Sequence, residues 1–250
     1  RVQPRLQRMP VVLNFIASQL VWLLSLYGAG IGRHWLGSVG FLAFFLAQAR
    51  MSAAPAVDAQ AALVAAAFGL VLLINRLTVL LSVAGLLLAA SYPYMKRHTY
   101  FPQVYLGIAF GWGIPMAFAA VQNRIPQSAW LLLLANVLWT TAYDTWYAMV
   151  DREDDLKAGA KSLAIFLGDM DFFALALLFA GFLFSLVLLG RQYHFDLVYF
   201  ICLALAAVVI LWQFKTARLR HREDCFRAFA SNQWVGLLVL AMLYFVIAAP

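Results

Sequence analysis

Carboxylates are almost missing from the first 143 residues of this chain, which carry a single one, Asp58. Charge of either sign is scarce: Asp, Glu, Lys and Arg make up 12% of the sequence, against roughly 25% in soluble domains. That excludes an ordinary water-soluble globule. Cysteine is scarce too. Cys202 lies in an apolar run and Cys225 in a basic loop, so neither a disulfide framework nor a cysteine metal centre is indicated. The four histidines, His34, His98, His194 and His221, show no paired ligand spacing. No apolar run alternates with period two, which argues against a β-barrel. Low-complexity linkers are absent as well.

What is present is oil, 65% of the residues being hydrophobic. Apolar runs punctuated by glycine and proline predict an all-α, polytopic membrane bundle. Nine candidate spans can be drawn: 11–27, 35–49, 60–74, 77–92, 103–120, 129–150, 170–190, 196–214 and 233–249. The first follows Arg1, Arg5 and Arg8 as a signal peptide would. No small-residue cleavage pattern follows it, so it is read as a retained helix. The whole chain, 1–250, reads as one transmembrane domain.

With the N-terminus in the cytoplasm, nine spans put 14 of the 18 basic residues on the cytoplasmic side. Only Arg33, Arg76, Arg124 and Arg191 fall outside. The positive-inside rule therefore predicts this orientation. The net charge of +7 is accounted for by short loops beside lipid, which argues against nucleic acid as a partner.

Against that background one stretch stands out, AYDTWYAMVDREDDLKAGAKSLAIFLG from Ala142 to Gly168. Five of the eleven acidic residues, Asp144, Asp151, Glu153, Asp154 and Asp155, lie within twelve positions of it. A carboxylate at the centre of a bilayer costs roughly 2.5–3.5 kcal/mol even on lenient scales. These five belong at the membrane surface or in a wet cavity. If the helix of 129–150 continues past Val150, then Asp144, Tyr147, Asp151 and Asp155 share one stripe. Steps of seven and eleven residues turn an α-helix through about 700° and 1100°, close to whole turns. Asp151 and Asp155, one turn apart, can share a hard cation such as Mg²⁺, whose other ligands are usually water and substrate phosphate. Asp144 lies about 10 Å deeper. Lys157 and Lys161 follow at once and could hold anionic oxygens. The bland alternative is a solvated helix end with local salt bridges, but such an end does not require Asp144 inside an apolar segment.

A second polar cluster, YPYMKRHTYFPQ from Tyr92 to Gln103, falls on the same predicted face. Alone it reads as a positive-inside loop with interfacial tyrosines. Beside an acidic metal site, Lys96 and Arg97 become candidate diphosphate ligands. The basic run KTARLRHRED, Lys215 to Asp224, reads as topogenic or as a contact with anionic membrane lipid.

The stretches SYPYMKRHTYFPQVYLGIAFGWGIPMAFAAV and LLANVLWTTAYDTWYAMVDREDDLKAGAKSLAIFLG, with REDCFRAFASNQWVGL near the end, resemble the UbiA superfamily of membrane prenyltransferases. The likeness runs from about Ala56 to the C-terminus and is most specific between Tyr92 and Gly168. It is nearest to the bacterial branch that serves ubiquinone biosynthesis. The resemblance implies a nine-helix bundle around a central cavity, in the cell inner membrane, with cytoplasmic acidic loops. It implies transfer of a polyprenyl group from polyprenyl diphosphate to the ring carbon ortho to the hydroxyl of 4-hydroxybenzoate. Mg²⁺ on Asp151 and Asp155 would neutralise the leaving diphosphate while the electron-rich ring attacks the allylic cation. A dry cavity would keep water from quenching that cation. Asp144, Tyr147, Asp151 and Asp155 are then the catalytic candidates, with Lys96, Arg97, Lys157 and Lys161 for the diphosphate.

The chain departs from the family in one place. A first aspartate motif, Asn-Asp followed by further aspartates, is expected after the second helix. The matching slot reads FLAFFLAQARMSAAPAVDAQAAL, Phe41 to Leu63, and Asp58 is its only carboxylate. Activity of this exact chain is therefore expected to be impaired. Two other classes remain open at this level. One is a related prenyltransferase acting on another quinone or a haem precursor. The other is a non-catalytic membrane protein or transporter that uses the acidic patch as a cation path.

Overall fold

The computed structural model describes residues 68, 69 and 71–248, and every described element is helical. The expected spans 11–27 and 35–49, most of 60–74, and the altered slot around Asp58 lie outside the described residues. Ten α-helices follow: α1 (Arg76–Ser91), α2 (Met95–His98), α3 (Pro102–Gly111), α4 (Gly113–Gln122), α5 (Gln127–Val150), α6 (Arg152–Ala158), α7 (Leu163–Leu167), α8 (Asp171–Gln192), α9 (Leu197–Thr216) and α10 (Arg222–Ala248).

Lipid-facing surface is legible as stripes. On α9, Leu197, Ile201, Leu205, Val208 and Trp212 are all exposed at spacings of three and four. On α8, Phe173, Leu177, Phe184 and Leu188 are exposed at spacings of four and seven. Contiguous apolar surface of this extent is not stable against water. Five helical stretches among the described residues are long and apolar enough to cross a membrane: Arg76–His98, Pro102–Gln122, Leu163–Gln192, Leu197–Thr216 and Arg222–Met242. The protein is an all-α membrane protein.

The sequence reads 103–120 as one span, and the structure splits it at Trp112. The cause is Pro115, whose missing N–H leaves the carbonyl of Gly111 without its helical partner. The last helix starts at Arg222, well before the expected 233. Its polar residues had hidden it: Arg222, Glu223 and Arg227 are exposed, whereas Asn232 is fully buried and accepts from Trp139 Nε1 at 3.1 Å.

Helix α5 is the centre of the bundle. It packs on α3, α4, α8 and α10, and 14 of its 24 residues are buried. Without a strong hydrophobic force between helices in lipid, close approach needs small residues. Gly107 of α3 supplies one: a Cβ there would lie 3.0 Å from both Cα and O of Val137 on α5, backbone that cannot yield. Aromatic packing does the rest. Trp139 stacks on Phe182 of α8 at 5.7 Å, and Trp146, fully buried, meets Phe172 edge-on at 5.4 Å and Phe214 at 5.5 Å.

Candidate metal-diphosphate site

The continuous helix expected through Asp155 is interrupted. Helix α5 ends at Val150, and Asp151 takes φ −94° and ψ 3° before α6 begins. The interruption is shallow, because the Asp155 N–H still donates to the Asp151 carbonyl at 2.8 Å. Asp151 and Asp155 therefore stay one turn apart and within electrostatic reach of each other. Asp144, half-buried about two turns deeper in α5 than Asp151, is within reach of both and of Lys96. The Tyr147 hydroxyl faces the Asp151 carboxylate, and its ring packs on Phe229 at 5.1 Å.

Helix α6 lasts seven residues and stops at Gly159, whose φ of +65° favours glycine. The chain then doubles back. Lys161 N–H donates to the Lys96 carbonyl at 2.8 Å, and Leu163 N–H to Oε1 of buried Gln103 at 3.1 Å. Two clusters some sixty residues apart in sequence are thereby fastened side by side. Lys96 Nζ consequently reaches Asp155 at 3.8 Å. Lys161 Nζ lies 5.3 Å over the Tyr100 ring and 3.5 Å from the His98 carbonyl. Arg97 and Lys157 are exposed and make no ion pair among the described residues. The structure thus gathers Asp144, Tyr147, Asp151, Asp155 and Lys96, sets the Lys161 side chain beside Tyr100 and His98, and leaves Arg97 and Lys157 exposed.

A cation fits the carboxylates. Oδ2 of Asp155 is buried and accepts no hydrogen bond among the described residues, a hard oxygen with capacity to spare. Among the described residues no group of three or more acidic, histidine or cysteine side chains could enclose a metal by itself. A two-carboxylate site is the kind that Mg²⁺ completes with water and substrate phosphate. Arg222 currently leans into it, 3.6 Å from Asp151 and 2.9 Å from Asp154. Exposed pairs of this kind contribute little and yield readily. The groove lined by Gln127, Trp130, Leu188 and Arg191 lies at the other end of α5 and is unrelated to this chemistry.

Burial pushes the Asp151 carboxyl above the ordinary aspartate range, and Asp155 pushes the same way, while Lys96, Arg222 and Tyr147 oppose them. The folded value exceeds the unfolded value of about 3.9. Asp151 therefore stabilises the fold below that unfolded value, and the contribution is lost as pH rises through the raised folded one. In metal-free detergent solution, melting temperature is expected to fall less over this range in Asp151→Asn than in the unsubstituted chain. Parallel melting curves for the two would refute it.

The sequence reading missed one further group. Asp171, fully buried, accepts from Arg152 Nη2 at 2.7 Å and from Arg220 Nη2 at 2.7 Å. The basic run from Lys215 to Asp224 is thus more than topogenic, since Arg220 and Arg222 both make ion pairs in the structure. The available signal was a carboxylate at the mouth of an apolar run, where burial requires a cation.

Comparison with known proteins bears on this arrangement. Residues 44–240 match the UbiA prenyltransferase family. The chain is 59% identical over 175 residues to the 4-hydroxybenzoate octaprenyltransferase of Xylella fastidiosa strain M23, covering 70% of this chain and 58% of that protein. It is 55% identical over 194 residues to the enzyme of the same name from Xanthomonas euvesicatoria, covering 78% and 64%. The matched part thus spans less than two thirds of those relatives' length. Among solved structures, a UbiA homologue from Aeropyrum pernix K1 superposes with TM-score 0.65 at 22% identity, covering 98% of both chains. A digeranylgeranylglyceryl phosphate synthase superposes with TM-score 0.70 at 16% identity, covering 94% of this chain and 93% of that one. Those two likenesses bear on the fold.

Proposed function

The chain belongs to the UbiA prenyltransferase family, and from that premise we propose that it is built to move a polyprenyl group from its diphosphate to 4-hydroxybenzoate in ubiquinone biosynthesis. The observation that carries this reading is the fastening of Lys96 to Asp155 beside Asp151, with Asp144 beneath. In the reaction the allylic C–O bond breaks and its electron pair leaves with the diphosphate. The ring carbon ortho to the hydroxyl forms the new C–C bond and gives up its proton. Asp151 and Asp155 would hold Mg²⁺, which when bound supplies positive charge to the departing oxygens. Lys96 and Lys161 bind the same diphosphate, and Arg97 and Lys157 guide it from the rim. Asp144 and Tyr147 face the substrates below. Water must be kept from the cation long enough for the ring to capture it.

The reading is tested by incubating membranes that contain the chain with prenyl diphosphate, 4-hydroxybenzoate and Mg²⁺. Diphosphate release that requires all three is the expected result, whatever its rate. Release with another quinone or haem precursor only, or cation flux without release, would favour the other classes.

For localisation we propose the inner membrane with the loops around 96, 155 and 220 in the cytoplasm, from the charge asymmetry. A cysteine at Lys157 should react only from the cytoplasmic side, and one at Arg124 only from outside. The opposite labelling pattern reverses the assignment.

A further inference from the structure

We propose that Asp171 is a positioning residue for the acidic site, setting through Arg152 and Arg220 where Asp151 and Asp155 stand. The inference rests on the reading of that site as a holder of metal diphosphate.

Asp171 opens α8 and is fully buried. One oxygen, Oδ2, takes Arg152 Nη2 at 2.7 Å; Oδ1 takes Arg220 Nη2 at 2.7 Å and Nε at 3.1 Å, and the Phe172 N–H at 2.7 Å. One carboxylate therefore ties together the start of α6 and the α9–α10 loop. Both ties end next to site residues. Arg152 follows Asp151 directly, at the point where α5 ends and α6 begins. Arg220 stands two residues before Arg222, which reaches Asp151 and Asp154.

The geometry of Arg220 shows how firmly the tie constrains the chain. Its φ of +56° is one that residues with a side chain rarely adopt. It is held there by the fork on Asp171, by an Nη2 contact to the Asp169 carbonyl at 3.1 Å and by the Phe172 ring, 4.6 Å from the guanidinium. The direction of α6, and with it the position of Asp155, follows from what holds Arg152. Asp171 touches no substrate in this scheme. Groups that orient metal ligands from behind typically change metal affinity by about 10–100-fold when replaced.

The test uses the full chain in lipid nanodiscs. Inorganic diphosphate with Mn²⁺, followed by electron paramagnetic resonance, reports the site without requiring turnover. Spin labels on Ala158→Cys in α6 and Arg218→Cys in the α9–α10 loop report the geometry; the native Cys202 and Cys225 are buried. In Asp171→Asn, uptake of Mn²⁺-diphosphate is expected to weaken on the order of 10-fold, and the narrow distance distribution between the labels to broaden. Unchanged uptake with an unchanged distribution overturns the inference. So does weakened uptake without broadening, since Asp171 would then act by another route. If Asp171→Asn does not fold, Arg220→Lys decides by the same two readouts, because it keeps the charge and loses the fork. Should the unsubstituted chain take up no Mn²⁺-diphosphate, the reading of the acidic site fails instead. The distance distribution then decides alone whether Asp171 sets the geometry.

Discussion

Replacing Asp151 or Asp155 with alanine is expected to lower Mg²⁺-dependent diphosphate release by a factor on the order of 10²–10³, the usual cost of removing one group that stabilises developing charge. Each change removes a hard oxygen from a site that, among the described residues, offers two such carboxylates one turn apart. Loss of Asp155 also frees Lys96, now 3.8 Å away, to swing into solvent. Asp144→Asn should behave differently. It is deeper in α5 and is assigned to substrate, so turnover should fall while the Mg²⁺ concentration for half-maximal rate stays nearly constant. Full Mg²⁺ titrations of the three variants separate these outcomes. Unaltered turnover in both the Asp151 and the Asp155 variant would leave the clamp without support.

An equally large effect is expected from the slot between Phe41 and Leu63. In the family two opposed acidic motifs share the metal-diphosphate, and here one side offers only Asp58, with Arg50 of the wrong sign. The chain as written should therefore turn over orders of magnitude below the ~1 s⁻¹ or more that is ordinary for enzymes. Insertion of an Asn-Asp-x-x-Asp segment with its basic loop after Ala49 should restore much of that rate. Stopped-time product assays on purified protein of both sequences decide the matter. A rate of about 1 s⁻¹ or more from the unmodified chain would falsify the idea that the second motif alone is insufficient. The alanine series above is best repeated in the restored chain, where the signal is largest.

Much of the fold was legible because lipid imposes a simple rule: apolar runs become helices. The runs at 77–92, 170–190 and 196–214 correspond to α1, α8 and α9 within a few residues. The rule weakens where a helix faces protein. Arg222 to Asn232 looked like loop because it is polar, although Asn232 finds a partner on α5 and Arg222 one in the acidic loop. Asp144, Asp151 and Asp155 could be grouped from sequence because one helical stripe joins them. Asp171 could not be paired, because its two partners, Arg152 at the start of α6 and Arg220 in the α9–α10 loop, lie 19 and 49 residues away. The break at Asp151 was hidden for the same reason.

Helix α5 carries a consequence for how the protein is made. At 24 residues it is long enough to cross a bilayer, yet it is not among the stretches whose composition suits lipid. Its Trp139 and Trp146 N–H groups find their acceptors in Asn232 and Gln213, which are synthesised 93 and 67 residues later. A nascent α5 leaving the ribosome therefore has neither the oiliness to partition alone nor the partners that would shield it. It is expected to linger at the translocon or the bilayer rim until α8, α9 and α10 emerge. Order of assembly then inverts order of translation, and the helix that carries Asp144 and Tyr147 is among the last to settle.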